Sequence, residues 1–138
     1  MDAAKAAKKK GKKAKRESKS FQDVRSTMLV FSANWCDRCV YTHSMWVRFA
    51  NRFSTDRFRF VEVDTTKLVE IARTFKVNAR DGNQLPTVIL LEDNVEKERF
   101  PPINYETGAV GRILAYKEKE LIRHFDLEKR YMATMTRE

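Results

Sequence analysis

A chain of 138 residues with 42% hydrophobic residues can bury one sizeable core and hardly two, so a single domain is expected. Its two cysteines are too few for the disulfide framework of a small secreted scaffold, and they cannot alone supply the four ligands of a structural zinc site. The net charge of +9 invites a nucleic-acid reading, but residues 1–20 hold nine Lys or Arg against two acids while the remainder holds nineteen against seventeen.

The segment KAAKKKGKKAKRESKS has no aromatic or β-branched residue and cannot bury enough apolar surface to offset the entropy of ordering. Residues 1–20 therefore read as a disordered basic tail ahead of a domain over residues 21–138. The tail suits a solubilising arm, and equally contact with an anionic membrane surface or nucleic acid, or a nuclear address. Its lysines are followed by polar residues rather than by an apolar segment, so no secretory signal is expected. No stretch approaches the ~18 to 20 apolar residues that span a bilayer, so a soluble chain without a membrane span is expected.

From Thr27 the pattern turns to TMLVFSA, a short apolar run that fits a buried strand. CDRCVYTHSMWVRFANRF follows, with Trp46, Phe49, Ala50 and Phe53 at the spacing of one helical face. FRFVEVD, residues 58–64, reads as a second strand. TTKLVEIARTFKV reads as a second helix, capped by Thr65 or Thr66 and turning Leu68, Ile71, Ala72 and Phe75 to one side. NARDGNQ is a loop; LPTVILLEDN is a strand entered through Pro86 and closed by a turn at Asp93 and Asn94; VEKERF is a polar edge strand paired back on it. After the loop PPINYETGAVGR come two helical segments, KEKELIRHF and DLEKRYMATM, with Asp126 as the N-cap between them. The order predicts an α/β domain of three layers, a mixed sheet with helices on both faces.

Both cysteines lie in SANWCDRCVY, at the junction of the first strand and first helix. Helical neighbours three apart have Cβ atoms about 5–6 Å apart, within reach of a disulfide after small adjustment. Cys36 would face the unpaired N–H groups and positive dipole end of the helix, which favour a thiolate; Arg38 would push the same way and Asp37 against it. The alternatives are two buried thiols that simply pack, or part of a zinc site with His43, seven residues beyond Cys36, for which no fourth ligand is in view. His124 reads as a surface or capping histidine.

ANWCDRC after a buried strand, with QLPTVILLED further on, resembles the thioredoxin-like superfamily over roughly residues 22–134. The ANW before the motif, RFPPIN and ELIRHFDLEKRY are most similar to the branch of the second thioredoxin-related transmembrane protein. The resemblance implies thiol–disulfide exchange on protein thiols and disulfides, with Cys36 the nucleophile, Cys39 the resolving thiol and a separate redox partner. No cofactor is implied. It also implies a cis bond before Pro86, which would lie against the cysteine pair, with Trp35, Leu85 and Pro86 shaping a groove for an extended peptide. A setting at the endoplasmic reticulum membrane follows from the branch, and a soluble cytoplasmic one otherwise.

The departures from the family pattern carry expectations of their own. Val30 stands where a buried acid usually helps move the proton of the second cysteine, and Phe60 aligns with the lysine often found beside it. The usual relay is missing, so release of a bound substrate should be slow. Ser44 replaces a helix-kinking proline, so the helix should run straighter. About five extra residues, 80–84, precede Leu85 and should form a surface loop. In the close relatives of that branch the first cysteine is commonly a serine, whereas this chain holds Cys36. The exchange reading competes with a binding module that uses the same groove without turnover, and with a structural subunit whose tail threads into an RNA or protein assembly.

Overall fold

The computed structural model describes residues 25–80, 84–104, 106, 107, 109 and 115–135. The basic tail of residues 1–20, its boundary with the domain, and residues 81–83 of the expected surface loop lie outside the described residues.

In chain order the elements are β1 (Ser26–Ser32), α1 (Asp37–Phe53), β2 (Phe58–Asp64), α2 (Val69–Thr74), β3 (Thr87–Glu92), β4 (Val95–Phe100), α3 (Glu118–His124) and α4 (Leu127–Met135). The strands form one mixed sheet in the order β2-β1-β3-β4, in which β1 runs parallel to β2 and antiparallel to β3, and β3 antiparallel to β4. The two central strands are the near-continuous apolar runs, as burial on both faces requires. The two edge strands carry the charges, including Arg59, Glu62, Lys97 and Glu98.

Side chains alternate along the central strands. Met28 and Val30 of β1, with Val88 and Leu90 of β3, meet Trp46, Phe49 and Phe53 of α1, Leu121 of α3, Phe125 at its C-cap and Leu127 at the start of α4. Leu29, Phe31, Ile89 and Leu91 point the other way, toward Ala72, Phe75 and Val77 in and after α2. Helices thus cover both faces. At the β3–β4 turn Asp93 and Asn94 have φ of 53° and 70°, the doubly positive pattern of a tight two-residue hairpin that these side chains tolerate. With Ser44 in place of a helix-kinking proline, α1 runs unbroken for 17 residues.

Three expectations need correction. Neither Thr65 nor Thr66 caps α2: Thr65 Oγ1 donates to the Ser32 carbonyl at 3.0 Å, Thr66 donates to Asp64 Oδ1, and the N-cap position falls to Leu68 without a side-chain bond. Leu68 and Ile71 are 44% and 40% exposed, because a six-residue helix can lay only one narrow stripe on the sheet and Ala72 occupies it. His124 is half-buried rather than on the surface: its Nε2 donates to the Arg99 carbonyl at 3.0 Å, and its ring meets Phe100 and Phe125 edge-on. The peptide bond before Pro101 is cis.

Candidate active site

The short link Ala33–Asn34–Trp35 leads from the C-terminal end of β1 into α1, where Cys36 is the N-cap residue, with φ −91° and ψ 112°, and not a member of the first turn. The extended backbone at an N-cap leaves the side chain facing the first-turn amides. The N–H of Cys39 accordingly points at Cys36 Sγ, 3.2 Å away. Cys36 Sγ in turn approaches the carbonyl of Leu85 at 3.8 Å, so the residue before Pro86 lies directly against the first sulfur. The Leu85–Pro86 bond is cis.

Both thiols are free and largely buried, Cys36 at 3% and Cys39 at 6% exposure. Burial pushes the Cys39 thiol up to about 12, helped by its bond to Cys36 and by repulsion from that sulfur, against smaller lowering effects of the Ala33 backbone and Arg38. Trp35 is half-exposed beside the pair, and Val40 and Tyr41 present further apolar surface. Asp37 is exposed, Arg38 half-buried, and Val30 buried at 3% in the aromatic core beneath α1. Phe60 packs against the same core, so that core holds hydrocarbon at both positions.

Two features of the site had no signal in the sequence. Tyr116, just ahead of α3, donates from its hydroxyl to the Pro86 carbonyl at 2.5 Å and lies under the Arg38 guanidinium, 5.7 Å from ring centre to carbon. Burial raises this phenol well above its ordinary range, so it stays protonated. The second feature is an open cleft beside Cys39, about 510 Å³ in volume, bounded also by Ser32, Asn34, His43, Glu62 and Asp64. A loop tyrosine and a strand-end glutamate are ordinary residues in ordinary places; only the chain path gives them neighbours.

The family model described as Thioredoxin matches residues 10–107. The chain is 26% identical over 90 residues to the thioredoxin-related transmembrane protein 2 homolog of Drosophila melanogaster, a match covering 64% of this chain and 33% of that one. It is 34% identical over 91 residues to thioredoxin H2-1 of Oryza sativa subsp. japonica, covering 66% and 51%. This chain therefore spans about a third of the fly relative's length and half of the rice relative's. Among solved structures, the thioredoxin NaTrxh from Nicotiana alata aligns with a TM-score of 0.56 at 21% identity, over 88% of this chain and 86% of that one, a likeness of fold.

Proposed function

The chain belongs to the thioredoxin family, and from that premise we propose that it exchanges thiols and disulfides with protein or peptide substrates through Cys36 and Cys39. The observation that carries the reading is the position of Cys36 Sγ, 3.2 Å from a helix-start amide and 3.8 Å from the Leu85 carbonyl, at a surface flanked by exposed Trp35. Cys36, as thiolate, attacks one sulfur of a substrate disulfide; a Cys36–substrate bond forms and the other substrate sulfur leaves with the electron pair. Cys39 then attacks Cys36 Sγ, closing the internal disulfide and releasing the second substrate thiol. Two electrons pass from the cysteine pair to the substrate, and a dithiol reductant restores the pair.

Substrate peptide would lie along Trp35, Leu85 and Pro86, with Asp37 and Arg38 adjusting the charge at the mouth. The likeness to transmembrane relatives supports a setting at a membrane, that of the endoplasmic reticulum by the resemblance; among the described residues no helix is long and apolar enough to cross one. Reduction of insulin by the wild-type protein, abolished by Cys36→Ser, is the expected result. A second reading, a binding module on the same fold, is favoured by Val30 and Phe60, which put hydrocarbon at the two positions where the family pattern has a proton relay. Insulin reduction no faster than that of Cys36→Ser, with peptide binding retained, would establish that second reading instead.

A further inference from the structure

Resolution of a mixed disulfide asks Cys39 for its proton, and burial makes that thiol reluctant to release it. Val30 offers nothing to receive it. The register of the sheet shows what stands nearby. Val30 pairs with Glu62 across the parallel β1–β2 ladder, and paired residues of neighbouring strands share a face of the sheet. Phe58 and Phe60 enter the aromatic core on that face, but Glu62, at the C-terminal end of β2, has passed the edge of the core and is 51% exposed. It opens onto the cleft that Cys39 helps to wall. Ser32 Oγ donates to Glu62 Oε2 at 3.1 Å, and His43 Nδ1 lies 3.8 Å from Oε1.

We propose that Glu62 takes the proton of Cys39 during resolution, through water in this cleft, and that Ser32 and His43 are positioning residues for its carboxylate. The inference rests on the exchange reading above and deepens it. With Cys36 bonded to a substrate sulfur, the Cys39 S–H proton passes by water to Glu62. The Cys39 thiolate attacks Cys36 Sγ, the Cys36–Cys39 bond forms, the Cys36–substrate bond breaks, and the substrate sulfur departs with the electron pair. Glu62 returns the proton to solvent, and no further co-reactant is needed.

The other groups facing this step are poorer acceptors. Asp64 lines the same cleft, but the hydroxyl and amide of Thr66 hold its carboxyl below the usual range. Tyr116, close enough for its charge to act on Cys39, keeps its proton in a hydrogen bond to the Pro86 carbonyl. Of the remaining titratable groups around Cys39, Arg38 eases loss of its proton and Cys36 opposes it. A surface carboxylate reached through water would thus take the place of a buried acid. The substitution is economical in stability, since Glu62 stays hydrated.

The test is stopped-flow mixing of the reduced protein with a fluorescent disulfide peptide, reading attack and release as separate phases from about pH 6 to 9. General acid–base groups contribute typically 10²- to 10⁴-fold, and an acceptor working through water belongs at or below that range, so Glu62→Gln should slow release by about tenfold or more. Attack should keep its wild-type rate. Release by Glu62→Gln should become first order in hydroxide across the range, and Glu62→Asp should restore part of the wild-type profile; His43→Gln should give a smaller change of the same kind. Equal release rates and profiles in wild type and Glu62→Gln, with attack normal, overturn the inference and leave the exchange reading standing. Slower release with an unchanged pH profile marks a structural effect and also overturns it. Absence of any mixed disulfide in the wild type overturns the exchange reading, and this inference with it.

Discussion

On one face of the sheet, three helices bury Trp46, Phe49, Phe53, Phe58, Leu121, Phe125 and Leu127 in a single aromatic cluster. On the other, α2 is six residues long and contributes Ala72 alone, with Phe75 and Val77 following it. Cys36, Cys39 and Leu85 belong to this second, lighter cluster although both cysteines start the helix that covers the first. The difference separates the apolar mass that resists unfolding from the pair that must meet a substrate. A site with few large side chains above it can open locally without disturbing the aromatic face.

The largest expected effect breaks the heavy face. Phe49 is 1% exposed and meets Trp46 and Phe53 edge-on at 5.7 and 6.0 Å. Truncation of such a ring costs about 3–5 kcal/mol, so Phe49→Ala should lower the urea-unfolding free energy of the reduced protein by that amount. A cost below about 1 kcal/mol, the level of a single surface change, would mean that the aromatic cluster does not dominate stability.

A middle-sized effect concerns the sulfur buried on the light face. The folded-state value of Cys39 lies above its ordinary 9.0, near 12, so between these limits the folded protein keeps a proton that the unfolded chain gives up. Its stabilising contribution is whole below pH 9 and falls as pH rises toward 12. The slope approaches about 1.4 kcal/mol per pH unit well inside that window. Urea titrations of the reduced protein at rising alkaline pH should show wild type losing stability faster than Cys39→Ala. Parallel curves would mean that the thiol ionises in the folded protein as readily as in the unfolded one.

The smallest effect is expected at Ile71, which the helical spacing puts on one side with Ala72 and Phe75 and the fold leaves 40% exposed. Ile71→Ser should change stability by no more than about 0.5 kcal/mol, as surface changes do, and leave insulin reduction as it was. A core-sized loss measured by the same urea titration would show that α2 packs more heavily than Ala72 alone allows.

Much of this contrast was legible in the chain. The unbroken apolar runs of β1 and β3 announced strands buried on both faces, and the charged alternation of β4 announced an edge. Trp46, Phe49 and Phe53 repeat at helical spacing and do lie inward. Of the site, the Cys36–Cys39 spacing could be read from a short local motif, whereas the approach of Leu85, 49 residues away in the chain, followed only from the family resemblance. Tyr116 and Glu62 could not, since nothing in their own neighbourhoods distinguishes them from solvent-facing residues, and helical spacing brought His43 toward Cys36 without showing its contact with Glu62.

Periodicity and the strand–Cys-x-x-Cys–helix order thus specify the α/β layering and the sulfur pair from the sequence by itself, since side-chain direction repeats every two residues in a strand and about 3.6 in a helix. What the tertiary structure alone decided is which polar groups leave the solvent and which partners they find. Arg99, on an edge strand, is 6% exposed and donates to the Phe75 carbonyl and to Glu96; Arg130, on an outer helix, is 8% exposed and pairs with Glu92. Thr65 turns from a helix cap to the Ser32 carbonyl, and Glu62 reaches Ser32 and His43 only because β1 and β2 pair in one register. Each depends on contacts between segments tens of residues apart, and a slip of one residue in that pairing would turn Glu62 to the opposite face of the sheet, away from His43.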